Sequence, residues 1–237
     1  MDNQTFLSVL KQSFITYLTT SARSNEKLKI LHGAIAQDID NKIKKMSKID
    51  YAVSALGFND GKEEKIQGRY IDKMVDISIK HKNRAIAGVA VKYVMSNYFQ
   101  NANNYFENML GETANIRSNQ RQYFQLLLIP DKLPYFDRYG KITKWEEVDK
   151  YHLTKYIKLS QDNIKQFFHT PDKTLLYIVH IAEPNREIKN KQDYIDYYLN
   201  NSFDIQLSKK QFNFDNAVIF NDYERFIEKV IFSILSQ

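Results

Sequence analysis

The stretch that most restricts the possible folds is YFQLLLIP, Tyr123–Pro130. It is far too short to cross a bilayer, which takes about 20 residues of helix, so it reads as a buried strand. TLLYIVHIA, Thr174–Ala182, reads the same way. Helical spacing surrounds both. FLSVLKQSFITYL and EKLKILHGAIAQDIDNKIKK predict two helices between Phe6 and Lys45, separated by an interruption at Thr19–Ser24 that carries candidate caps. SNYFQNANNYFENMLGETANIRS, with Tyr105, Phe106, Met109 and Leu110 in register, predicts a third. ITKWEEVDKYHLTKYIKLS and KQDYIDYYLN read as further helices, and DNAVIF followed by DYERFIEKVIFSIL as strand then helix. The order predicts an α/β fold with a mixed central sheet flanked by helices.

The 237 residues contain no internal repeat and no Pro-, Gly- or Ser-rich linker, which predicts one domain. Its expected parts are the N-terminal helices at 1–45, a core at 66–136 and a C-terminal α/β part at 137–237 that completes the sheet. With 43% hydrophobic and 14% aromatic residues the chain can bury a substantial core. The start, MDNQTFLSVLKQSF, lacks the basic segment, apolar stretch and cleavage site of a secretory signal. There is no cysteine, which excludes disulfides and thiolate-bound metals and fits a cytoplasmic protein. A formal charge of +6 is compatible with nucleic acid, because Lys and Arg neutralise phosphate without regard to sequence.

The candidate site lies in VDISIKHKNRAIAGVAVKYV, Val75–Val94, which reads as two strands around the basic turn Lys80–Arg84. Val75, Ile77, Ile79, Val89, Val91 and Tyr93 form an odd-numbered apolar set; Asp72, Asp76, Ser78, Gly88, Ala90 and Lys92 form the even one. Side chains alternate faces along a strand, so matching the apolar faces puts Asp76 and Lys92 on the same side. A carboxylate and a lysine so placed suit metal-assisted phosphodiester hydrolysis. They equally suit a plain cross-strand ion pair.

Asp76, fifteen intervening residues and GVAVK ending in Lys92 resemble the PD-(D/E)xK nuclease superfamily. The wider run, TSARSNEKLKILHGAIAQDI, GRYIDKMVDISI, GVAVKYVMSNYFQNANNYFENMLGETANIRS and YFQLLLIPDKLPYF, is similar to a group of bacterial type II restriction endonucleases over roughly the first 140 residues. The resemblance implies a restriction-endonuclease-like fold and Mg²⁺-dependent cleavage of double-stranded DNA. It implies a homodimer, or pairing with a related subunit, and a cognate methyltransferase in the same system. No membrane partner is expected. Val75 replaces the proline and Ala90 the acid of the motif. Relatives that move this acid place it on the following helix, which here carries Glu107, the first choice, and Glu112. Asp38 on the N-terminal helix is a further candidate ligand, as an acid there is in several relatives.

Asp76, Glu107 and Lys92 are thus the expected catalytic set, with Asp76, Glu107, Glu112 and Asp38 as candidate metal ligands and Lys80, Lys82 and Arg84 as candidate DNA contacts. Two other readings stay open: an inactive nuclease-fold protein that binds DNA or a partner, and a repair or junction-resolving nuclease of the same superfamily. Pro130-Asp131 and Pro171-Asp172 read as turns, each without an acid-x-lysine downstream. The histidines His32, His81, His152, His169 and His180 show no paired ligand spacing, which argues against zinc, and His180 reads as a core histidine.

Overall fold

The computed structural model describes residues 1–20 and 24–236. Ser21, Ala22 and Arg23 of the expected interruption lie outside the described residues. The flanking helices are α1 (Asn3–Thr19), whose N-cap Asp2 accepts from the Thr5 N–H, and α2 (Glu26–Met46).

The chain continues through β1 (Tyr51–Ala55), β2 (Glu64–Ile66), β3 (Lys73–Val75), β4 (Ile77–His81), β5 (Arg84–Tyr93) and α3 (Tyr98–Arg117). Then come β6 (Gln122–Pro130), β7 (Lys132–Phe136), β8 (Ile142–Glu147), α4 (Lys150–Ser160) and β9 (Lys173–Ile181). Last are α5 (Lys191–Asn200), β10 (Ile205–Leu207), β11 (Val218–Phe220) and α6 (Tyr223–Leu235). The central sheet runs β1-β4-β5-β6-β9, and β10 and β11 share the far side of β9 at its two ends. Pairing is antiparallel from β1 to β5 and parallel across β5, β6 and β9, so this is an α/β fold with a mixed sheet.

Alternation along β6 explains the layers. Phe124, Leu126 and Leu128 point into one core with Phe6, Phe14, Leu31, Ile35 and Phe226 of α1, α2 and α6, while Leu127 and Ile129 point into a second core with Tyr98 of α3 and Leu153 and Tyr156 of α4. Residues distant in sequence close the first layer: Asn3 Oδ1 accepts from the Tyr223 N–H at 2.9 Å and the Tyr177 hydroxyl at 3.2 Å. Among the described residues no helix is long and apolar enough to cross a membrane.

Three expectations need correction. Ile142–Glu147, expected to begin a helix, is β8 paired with β7; helix α4 starts later, where Asp149 caps the His152 N–H. GRYIDKMVDISI is two strands in different sheets, because the chain bends at Asp76 between β3, paired with β2, and β4. Val75 therefore leaves the apolar face of Ile77 and Ile79 and packs with Ile66, Ile116 and Tyr123. His180 lies on β9 but is no core residue: its side chain is 42% exposed, with Nδ1 3.2 Å from Asp131 Oδ1.

Candidate metal centre

Asp76 sits at the bend where the chain leaves the small β2–β3 sheet for the central one. In β4 and β5, Ile77 pairs with Val89 and Ser78 with Gly88, and extending that register by one residue puts Asp76 opposite Ala90. The bulge in this hairpin falls beyond Ile79, toward the turn, so the pairing next to Asp76 is undisturbed, and Lys92 lies near enough for its charge to act on Asp76. The Val91 N–H donates to Asp76 Oδ2 at 2.7 Å, fixing one carboxylate oxygen. The other, Oδ1, lies 4.0 Å from His32 Nδ1.

Glu63 completes a cluster. In the β2–β3 ladder Glu64 pairs with Val75, and one further step of that register sets Glu63 opposite Asp76. One donor atom each from His32, Glu63 and Asp76 lies within 4.8 Å of the others, and no other group of three such donors is found among the described residues. His32 gets there through a close backbone approach. A Cβ on Gly33 would lie 2.5 Å from the Gly57 carbonyl oxygen, and Gly57, at φ +76°, has no room for one beside the Lys29 carbonyl. Two glycines let α2 settle on the turn after β1.

The electrostatics of the three donors are unbalanced. His32 is 1% exposed with neither ring nitrogen hydrogen-bonded, and burial pulls its pKa down to about 4, so it is neutral near pH 7. Burial pushes Asp76 up to about 6; the charge of Glu112 adds to this, and the Val91 N–H, Lys92 and Lys73 oppose it. Glu63 is raised by burial and then by Asp76. Two carboxylates forced together beside an imidazole with free nitrogens form a donor set short of a cation, and it fits a divalent metal.

The other expected residues fall as follows. Lys92 is exposed, its Nζ 4.4 Å from the Tyr105 ring centroid, and its charge lowers the pKa of Asp76. Glu112 is half-buried beside the cluster: Oε1 pairs with Lys73 Nζ at 2.5 Å, and Oε2 accepts from the Tyr123 hydroxyl at 3.3 Å. Glu107 is exposed, and its charge acts on Lys155 of α4. Five helical residues turn the chain by about 140° relative to a starting side chain, so the two glutamates cannot share a direction. Asp38 is buried against α6, accepting from the Met1 ammonium at 2.5 Å and the Tyr223 hydroxyl at 3.1 Å. His32, on the same helix, is the residue that faces Asp76. Lys80 donates to Glu64 at 2.8 Å, and exposed Lys82 and Arg84 occupy the end of the hairpin remote from Asp76.

Ala90 pairs in parallel with Gln125 of β6, which is buried beside it. No family model matches this chain, and no curated protein or solved structure matches it.

Proposed function

We propose that this chain is a metal-dependent endodeoxyribonuclease of the restriction type, on a restriction-endonuclease-like fold, acting on double-stranded DNA as a homodimer or with a related subunit beside a cognate methyltransferase. The observation that carries the reading is the convergence of His32, Glu63 and Asp76 at the bend before β4, with Lys92 near enough for its charge to act on Asp76.

His32, Glu63 and Asp76 would hold the cation. A divalent ion bound there supplies Lewis-acid polarisation of a phosphoryl oxygen and acidifies a water. Asp76 would offer Oδ1, since the Val91 N–H holds Oδ2 and with it the rotamer. Lys92, exposed over Tyr105 and acting by its charge on Asp76, would stabilise the extra negative charge that builds up on the attacked phosphodiester. Glu112 stands next to this set with its charge met by Lys73, and takes over from Glu107 as the candidate for the acid missing at Ala90. Mg²⁺ is the expected ion. The imidazole nitrogen favours Mn²⁺, which accepts both nitrogen and carboxylate donors.

Purified protein incubated with phage DNA, with Mg²⁺, Mn²⁺ or EDTA, followed by sequencing of the ends, tests the reading. Discrete ends that require the metal are expected. Ala90 favours one competing reading, an inactive scaffold that binds DNA, and DNA left intact over a wide protein range in both metals while the protein still binds it would establish that reading. Scattered ends at gaps or junctions would point to the repair class.

A further inference from the structure

The loop joining β2 to β3 holds large apolar side chains out in water. Asn115, buried near the end of α3, commits its amide to this loop: Oδ1 accepts from the Tyr70 N–H at 2.9 Å and the Ile71 N–H at 3.3 Å, and Nδ2 donates to the Ile71 carbonyl at 2.8 Å. The Arg69 N–H donates to the Asn115 carbonyl at 2.8 Å, and Asn119 Nδ2 to the Gln67 carbonyl at 2.9 Å. Gly68 passes so close that a Cβ there would lie 2.0 Å from Asn115 Nδ2. Held at every step, the loop still leaves Tyr70 80% and Ile71 66% exposed. It has no slack with which to fold them away.

Charge and position say what covers this tip. Lys65 and Arg69 are exposed on the same hairpin, the Arg69 guanidinium lies 5.8 Å from the Tyr70 ring centroid, and Asp72 is the one acid between Lys65 and Lys73. A planar ring set among cations matches a polyanion that also presents flat rings. From the tip the chain runs through Lys73, paired to Glu112, into Asp76. The tip is hydrogen-bonded to Asn115, three residues along α3 from Glu112, whose charge acts on Asp76, and this brings the loop to the same end of α3 as the donor cluster.

Resting on the nuclease reading above, we propose that Tyr70 and Ile71 contact the bases of the bound DNA strand, Tyr70 stacking on a base freed from its neighbours. DNA with an unpaired base at the site then binds more tightly than uninterrupted duplex.

Fluorescence anisotropy in EDTA, where nothing is cut, compares a paired duplex, the same duplex with a one-base bulge, and a single strand. The wild type is expected to favour the bulged and single-stranded DNA. Tyr70→Ala combined with Ile71→Ala should weaken those two roughly ten-fold and erase the preference, as base–aromatic stacking predicts. Thermal unfolding should not move, since both side chains are exposed. Absence of preference in the wild type, or its retention in the variant, overturns the proposal. So does retention accompanied by lost self-association in light scattering, which would assign the tip to a second copy of the chain. Mn²⁺ titration of the same two proteins, free of EDTA and DNA, tests the His32, Glu63 and Asp76 cluster on its own. Mn²⁺ binding without a base preference overturns the tip and leaves the metal centre standing; a base preference without Mn²⁺ binding does the reverse.

Discussion

Replacing His32 by leucine should make the metal-free protein more stable, and more so in acid. The imidazole is buried with two unpaired nitrogens, and an unsatisfied buried polar group costs about 1–3 kcal/mol, which an apolar side chain of similar volume removes. The pH dependence follows from two opposed groups. The unfolded chain protonates its histidine near 6.5 and the native chain only near 4, so native stability is lost as pH falls through that window. Asp76 does the opposite: the native chain takes its proton near 6 and the unfolded chain near 3.8, so stability is gained as pH falls and lost as it rises. Each displacement corresponds to about 3 kcal/mol, and in the wild type they nearly cancel. His32→Leu removes one side of the balance. Its advantage in EDTA should grow from about 1–3 kcal/mol at pH 7 by about 3 kcal/mol more at pH 4. Urea unfolding at pH 7, 5.5 and 4, read by fluorescence, measures it. With Mn²⁺ at pH 7 the wild type alone should gain stability. A variant less stable at pH 7, or one that tracks the wild type across pH, would refute the picture of His32 as a ligand held ready at a cost.

Mn²⁺ affinity measured by calorimetry should rise about ten-fold between pH 5 and pH 7 as Asp76 ionises, and Asp76→Asn should abolish the rise. Glu107→Ala should leave cutting of phage DNA unchanged while Glu112→Ala lowers it at least ten-fold; the reverse result would return the missing acid to the exposed face of α3. Lys92→Ala should abolish cutting yet keep salt-sensitive binding, since one lysine is a small share of the phosphate contacts. Gly68→Ala should lower stability by about 1–3 kcal/mol, seen as a reduced melting temperature and faster tryptic cleavage at Arg69, because the new methyl displaces the Asn115 amide.

Periodicity carried most of the helices and the two buried strands, because α3 and β6 write their burial into their own side chains. It failed where pairing is made elsewhere. β1, β7 and β10 are short, with no more than five residues each, and their partners define them. The pairing of β4 with β5 was legible, since two strands around one turn have few registers, but the bend at Asp76 was not. His32 and Glu63 were not. Glu63 stands in the polar run FNDGKEEK, which reads as solvated loop, and His32 on a helix that carries no second ligand; the approach of Gly33 to Gly57 brings them together. The choice between Glu107 and Glu112 depends on the phase of α3, which is set by Met109 and Ile116 packing on different cores.

The bonds from Asn3 to Tyr177 and Tyr223 span 174 and 220 positions of the chain. During synthesis, then, the first helix emerges long before the residues that seat it, and α2, packed between α1 and α6, waits with it. His32 rides on α2. Full packing of the helix that carries His32 thus calls on α6, whereas the three donors themselves, His32, Glu63 and Asp76, all come from the first third of the chain.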